Sequence, residues 1–221
     1  SGEGLVFDSD GVAIQGITNG AIWDPNFART RVPFIDKCIG GEKIDLWVET
    51  GANSLFGVFT DPDPKEQSPK RHGWFDAKVE KMKFGIFDED IWHLYLDARI
   101  LLGLIKHLDK KSVRRIRIIK SLNQCINVFA ENRSNAQASR DCLKVELEKC
   151  ASASDLKVSA IGHAHIDTGW LWPVRETVRK TARTFATQLK IIEQYPQYIF
   201  GASQPQHYQF MKDSYPEIYE R

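Results

Sequence analysis

Apolar and polar positions along the chain change period twice. Near the N-terminus, short apolar runs alternate with turns: Gly4-Leu5-Val6-Phe7 closes at Asp8-Ser9-Asp10-Gly11, and Val12-Ala13-Ile14-Gln15-Gly16 follows, a hairpin signal. Ile44, Leu46 and Val48 alternate with Asp45, Trp47 and Glu49, the period of a strand with two unlike faces. Residues 54–59 (SLFGVF) form another apolar run, ended by Asp61-Pro62-Asp63-Pro64, and residues 78–87 (KVEKMKFGIF) read as a further strand. Short strands with such turns predict part of a β-sandwich, with Trp23, Phe27, Trp47 and Trp74 packed in or between its elements.

From Asp88 the period becomes helical. Ile91, Leu94, Tyr95, Ala98, Leu101, Leu102, Ile105 and Leu108 recur at the spacing of one helix face. A second helix is predicted over 112–129, with Ile116, Ile119, Leu122, Ile126 and Phe129 on one stripe, and a third over 136–150. At Lys157 the pattern changes again: a strand over 157–162 (KVSAIG), a helix marked by Val178, Ala182, Phe185, Leu189 and Ile192 and ended by Pro196, a strand over 198–202 (YIFGA), and a helix over 215–221. Strand, helix, strand, helix is the opening of a parallel α/β sheet or barrel. The predicted fold is multidomain α+β. A β-sandwich-like domain, expected to be incomplete, covers 1–87; a helical linker covers 88–154; the first β-α-β-α units of a (β/α) barrel, expected to be truncated, cover 155–221. Truncation is expected because two strands of a parallel sheet cannot bury both their faces alone.

Composition narrows the function classes. Thirty Lys and Arg stand against 29 Asp and Glu, a net charge of +1, so neither nucleic acid nor an anionic membrane is expected as a partner. The basic cluster Lys110, Lys111, Arg114, Arg115 and Arg117 reads as a solvated helix face. Cys38, Cys125, Cys142 and Cys150 form no CxxC pair and are expected to be reduced thiols. The opening SGEGLVFDSDG lacks the charged and apolar regions of a signal peptide, and no apolar run is long enough to span a bilayer. The expected location is cytoplasmic.

The chemistry is concentrated in GHAHIDTGWLWP, residues 162–173. In an extended backbone the side chains at i, i+2 and i+4 point the same way. His163, His165 and Asp167 can therefore converge, and two imidazoles with a carboxylate suit zinc or a similar divalent ion. Their place at the carboxyl end of a parallel strand is where α/β folds gather ligands. The alternative is structural: His163 bonded to backbone, and Asp167 capping the helix region after it. Trp170 and Trp172 read either as sugar-stacking rings or as plugs between helix and sheet. Arg175 and Glu176 read as a salt-bridged helix start.

GHAHIDTGWLWPVRETVRK and YIFGASQPQHYQFMKDSYPEIYER closely resemble the start of the catalytic domain in glycoside hydrolase family 38 α-mannosidases, in the wording of the cytosolic/vacuolar and bacterial type. Upstream, GEGLVFDSDGVAIQGIT and LWVETGANSLFG are similar to the family's N-terminal β domain, and residues 90–108 to its linker. The resemblance implies that His165 and Asp167 are metal ligands, with zinc usual and cobalt the alternative, and that His163 is not one. It implies that Trp170 stacks on the mannose beside the metal, and it assigns Trp172 no catalytic role.

The implied reaction is retaining hydrolysis of terminal α-D-mannosyl residues of oligosaccharides, which needs a nucleophilic and an acid/base carboxyl group. Both, with the remaining metal ligands, are expected downstream of residue 221, since Asp155, Asp213 and Glu217 stand in no matching context. The chain alone is thus expected to be inactive. The resemblance is compatible with a homo-oligomer, and with a vacuolar location in a fungal source. Two other readings stay open: a metal-dependent amidohydrolase-type barrel, using His163 and His165, and a non-enzymatic carbohydrate-binding or assembly module.

Overall fold

Asp8 turns the chain at the first hairpin. Its Oδ1 accepts from the backbone N–H of Asp10 (3.0 Å) and Val12 (2.8 Å), and Gly11 takes φ 83°, a conformation that suits glycine. The computed structural model describes residues 2–18, 28–52, 81–149, 158–170 and 172–221. The turn joins β1 (Gly2–Phe7) to β2 (Ala13–Thr18), antiparallel, with an irregularity between Val6 and Phe7. The other edge of β1 pairs antiparallel with β3 (Trp47–Ala52), giving the order β2-β1-β3.

β3 starts later than the alternation from Ile44 suggests. Its register runs from Phe7↔Trp47 to Gly2↔Ala52, so residues 44–46 would lie beyond the end of β1, beside the turn, where no ladder partner remains. Trp47 consequently sits at a strand end and is 67% exposed, contrary to its expected packing in or between the elements of the sandwich. Residues 81–87, expected as strand, form none, and Met82, Phe84 and Ile86 are exposed. Trp23, Phe27, Trp74 and the 54–59 run lie outside the described residues.

The chain divides into two compact units, Ser1–Glu80 with Val158–Arg221, and Lys81–Lys157. In the first, the sheet packs on helix α4 (Val174–Gln194). Leu5 and Ala13 meet Ala182 and Ala186 of α4, Met211 of α5 (Pro205–Ser214) and Ile218 of α6 (Pro216–Glu220). Small residues allow the close approach. A Cβ on Gly16 would stand 2.7 Å from the Arg183 carbonyl oxygen, and the Gly16 N–H donates to Thr187 Oγ1 at 2.9 Å.

Around α4 the chain forms a β-α-β unit: β4 (Gly162–His163) pairs parallel with β5 (Phe200–Gly201). Both strands are shorter than the apolar runs containing them. Among the described residues each has a single neighbour, so few ladder bonds hold either extended. Helix α5 was not expected. It shows only His207 and Met211 as buried residues, too short an inward stripe to register as a period, although Pro205 at its first turn is a start signal. The helix expected over 215–221 is α6, separated from α5 because Pro216 cannot continue a helix.

The second unit is helical. Helix α1 (Glu89–His107) is capped by Asp88, which accepts from Ile91 N, and α2 (Val113–Glu131) by Ser112, which accepts from Arg115 N. A 3-10 turn, Arg133–Asn135, leads to α3 (Ala136–Leu147). Leu94, Leu101, Ile118, Leu122, Cys125, Ala136 and Leu143 form its core. The inner face of α2 is therefore 118/122/125, flanked by Phe129, and Ile116 and Ile126 are exposed. Isoleucines at 116, 118, 119 and 126 spread around much of the helix, so period alone leaves its rotation open. Packing against both α1 and α3 selects it.

Two members of the basic cluster do more than face water. Arg115 Nε donates to Ile105 O (3.3 Å) and Arg114 Nη2 to Lys149 O (3.1 Å), meeting carbonyls at the ends of α1 and α3. Lys110, Lys111 and Arg117 are exposed. Cys38, Cys125 and Cys142 are free thiols; Cys150 lies outside the described residues. No helix among the described residues is long and apolar enough to cross a membrane.

The rotation of α2 is testable by denaturant unfolding. Ile118→Ala, at a fully buried position, should cost about 2–5 kcal/mol, and Ile116→Ala within about 0.5 kcal/mol of zero. Equal losses would reverse the assignment of the inner face.

Candidate functional site

Beyond β4 the chain stays extended and alternates by exposure: His163 out, Ala164 half-buried, His165 out, Ile166 buried, Asp167 half-buried. The odd positions thus share the open side, as the spacing requires. His165 Nε2 lies 3.0 Å from Asp167 Oδ1, with the two side chains 75% and 39% exposed. His163 does not join them. Among the described residues no three His, Cys, Asp or Glu side chains gather as a metal site. In a straight strand, positions i and i+2 lie roughly 6.5–7 Å apart along the axis, so two such side chains meet at one point only when they lean together, as those of His165 and Asp167 do. The chain bends only after Asp167, over residues 168–170, with Gly169 at φ 71°. That bend accompanies the approach of Asp167 to His165 and leaves His163 a strand repeat behind.

Two anchors hold the bend. Thr177 is fully buried in the first turns of α4. Its Oγ1 donates to the Asp167 carbonyl (3.1 Å) and accepts from Gly169 N (3.0 Å) and Trp172 Nε1 (3.0 Å). On the other side Thr168 Oγ1 donates to Gln204 Oε1 (3.0 Å) and lies 3.0 Å from His207 Nε2. A hydroxyl has one proton. With that proton on Gln204, the His207 Nε2–H must donate, which sets the tautomer.

Beneath the strand, Tyr198 occupies the space a side chain on residue 162 would need. A Cβ there would stand 2.0 Å from the phenol oxygen, which itself donates to Gln188 Oε1 (2.8 Å). A small cavity of about 30 Å³ is lined by His163, His165, Ile166, Phe185, Gln204 and His207, among others.

Trp170 is 56% exposed and meets Trp172 edge-on, centroids 5.5 Å apart at 80°. The Lys180 ammonium lies 4.9 Å from the centroid of the Trp172 ring, so Trp172 is packed in place while Trp170 presents surface to solvent. Glu176 is buried in the first turn of α4. It pairs with Arg183 (2.8 Å) and Arg179 (3.4 Å), and Arg183 reaches Glu3 of β1 (2.7 Å). The salt-bridged helix start is thus built on Glu176; Arg175 is exposed.

The His165–Asp167 pair fits part of a divalent-ion site. Tetrahedral zinc with ligand bonds of about 2.0–2.1 Å sets its donor atoms about 3.3 Å apart, close to the observed 3.0 Å, and imidazole with carboxylate is a donor set zinc accepts. No described residue completes the coordination. Thr168, Thr177, Gln204 and His207 carried no sequence signal. Threonine in a helix start and His-Gln in a polar stretch are common, and only the fold turns them toward the loop.

Burial lowers the His207 pKa from its ordinary 6.5, because desolvation disfavours the imidazolium. A proton-NMR titration of His207 should therefore show a midpoint below 6.5. The unfolded chain takes up the proton first, so the stabilising contribution is present above the unfolded value and is lost as pH falls toward the folded one. A midpoint at or above the ordinary value would contradict the buried, donating imidazole.

Residues 155–221 match the N-terminal domain of glycosyl hydrolases family 38, and residues 1–82 match the α-mannosidase jelly roll domain. The chain is 34% identical to alpha-mannosidase G of Dictyostelium discoideum over 99% of its own length and 20% of that protein's. It is 31% identical to human alpha-mannosidase 2C1 over 100% of its length and 20% of that protein's, and 28% identical to a Saccharomyces cerevisiae alpha-mannosidase over 80% and 17%. The chain therefore spans about a fifth of the length of the first two relatives. A jelly roll domain thus precedes a glycosyl hydrolase family 38 N-terminal domain in a molecule of mixed helix and sheet, and the relatives matched over the whole of the chain are α-mannosidases.

Proposed function

We propose that this chain is part of a metal-dependent α-mannosidase that removes terminal α-D-mannosyl residues from oligosaccharides with retention of configuration. One observation carries the reading: an exposed imidazole and a half-buried carboxylate 3.0 Å apart, with an exposed tryptophan three residues on, lie inside the stretch that matches family 38. The relatives' names add the substrate class.

His165 Nε2 and Asp167 Oδ1 are the atoms that would hold the ion, zinc, or cobalt in the alternative. When bound, the ion attracts hydroxyl oxygens of the terminal sugar and helps hold the distorted ring. Trp170 offers its face to the C–H side of the same ring, and Trp172, packed between Trp170 and Lys180, keeps that face in place. The nucleophilic and acid/base carboxyl groups come from residues outside these 221, so these residues alone do not hydrolyse mannosides. The β4-α4-β5-α5 segment belongs to a (β/α) barrel, with an N-terminal β domain over 1–87 and a helical linker over 88–154, and the protein works in the cytoplasm, or in the vacuole of a fungus.

The test is hydrolysis of an aryl α-mannoside by the intact protein. Chelator and Asp167→Ala should each lower kcat/KM by about 100-fold or more, and Trp170→Ala should raise KM. His163→Ala should leave zinc affinity within about twofold, where an amidohydrolase-type site would lose it. Hydrolysis indifferent to both chelator and Asp167→Ala would overturn the reading.

A further inference from the structure

Asp167 and Trp170 sit on a bent segment with little secondary structure of its own, so something must hold the bend. Three of the segment's polar groups converge on one atom, Thr177 Oγ1: the Asp167 carbonyl, the Gly169 N–H and the Trp172 indole N–H, at 3.1, 3.0 and 3.0 Å. A threonine hydroxyl has one donor and two acceptor positions, so these three bonds use it completely. The same residue is fully buried, so its hydroxyl has these three groups of the loop as its partners, and removing it leaves three part-buried groups unmet. We propose that Thr177 is the positioning residue of the site: its hydroxyl sets the backbone under Asp167 and, through Trp172, the orientation of the Trp170 ring.

The role is more than packing. Thr181, one turn along, is equally buried, and its hydroxyl donates to the Thr177 carbonyl at 2.8 Å without a bond to the loop. The two threonines share size, burial and helix, and differ in whether the hydroxyl reaches the segment carrying Asp167. For its ligand the inference rests on the metal reading above. The geometric part does not.

The experiment compares Thr177→Val, Thr177→Ser and Thr181→Val in the intact protein by two readouts: zinc affinity by chelator competition, and amide hydrogen exchange across residues 165–172. Thr177→Val keeps the side-chain shape and removes the oxygen. Zinc affinity should fall about 10-fold or more, and Gly169 should exchange about 10-fold faster. Thr177→Ser, which keeps the oxygen, should restore both, and Thr181→Val should leave both near the wild-type values.

Wild-type exchange at Gly169 in Thr177→Val would overturn the proposal. So would a Thr177→Ser variant as impaired as Thr177→Val, or the same loss in Thr181→Val, because each points to packing instead of the hydroxyl. If the wild-type protein binds no zinc, the metal reading fails, and the exchange contrast alone decides the role of Thr177.

Discussion

The guanidinium of Arg183 lies between two carboxylates from distant parts of the chain, Glu3 at 2.7 Å and Glu176 at 2.8 Å, with its own side chain only 6% exposed. A charge so placed must be met by opposite charge, since leaving one partner unmet typically costs about 3–5 kcal/mol. Meeting it dictates geometry. Glu3 belongs to β1 and Glu176 to the first turn of α4, so the ion triad sets how the sheet lies along the helix. Lys180 adds a second cation to Glu3 (3.3 Å), and Arg179 links Glu176 to Glu49 of β3. The same arrangement places Gly16 against the Arg183 carbonyl.

From that triad the order propagates toward the loop. Thr177 comes directly after Glu176, and its hydroxyl gathers the backbone of Asp167 and Gly169 and the Trp172 ring. Helix α4 therefore carries two constraints on one end: a charged one facing the N-terminal sheet and a hydrogen-bonded one facing the loop. His207 of α5, its Nε2 3.0 Å from Thr168 Oγ1, holds the loop from the opposite side.

How far the sequence is legible depends on the range of the interactions involved. The long helices were legible because a 3.6-residue period repeated over many residues marks one face, and α4 shows it through Val178, Ala182, Phe185 and Leu189. The rotation of α2 was not, because its isoleucines satisfy more than one face. The limits of β3 were not, because a strand extends only as far as its partner, and the partner is 40 residues away in sequence. At the site, spacing put His163, His165 and Asp167 on one side alike, and only the family resemblance set His163 apart; that His163 stays away from the other two was not legible from spacing, since the bend after Asp167 depends on Thr177 and Thr168. Trp170 announced itself as an exposed ring only once Trp172 was seen packed against Lys180.

The separation of Glu3 from Arg183, 180 positions along the chain, sets an order of events during synthesis. At about 5–20 residues per second, β1 leaves the ribosome on the order of 10–40 s before α4 does. Through that interval Leu5 and Ala13, buried against the helices in the finished protein, have no helix to cover them, while the α1–α3 unit, whose contacts are local, can close by itself. The nascent chain therefore carries an uncovered apolar hairpin ahead of an already folded helical segment, and chaperone protection would act on β1 and β2 first.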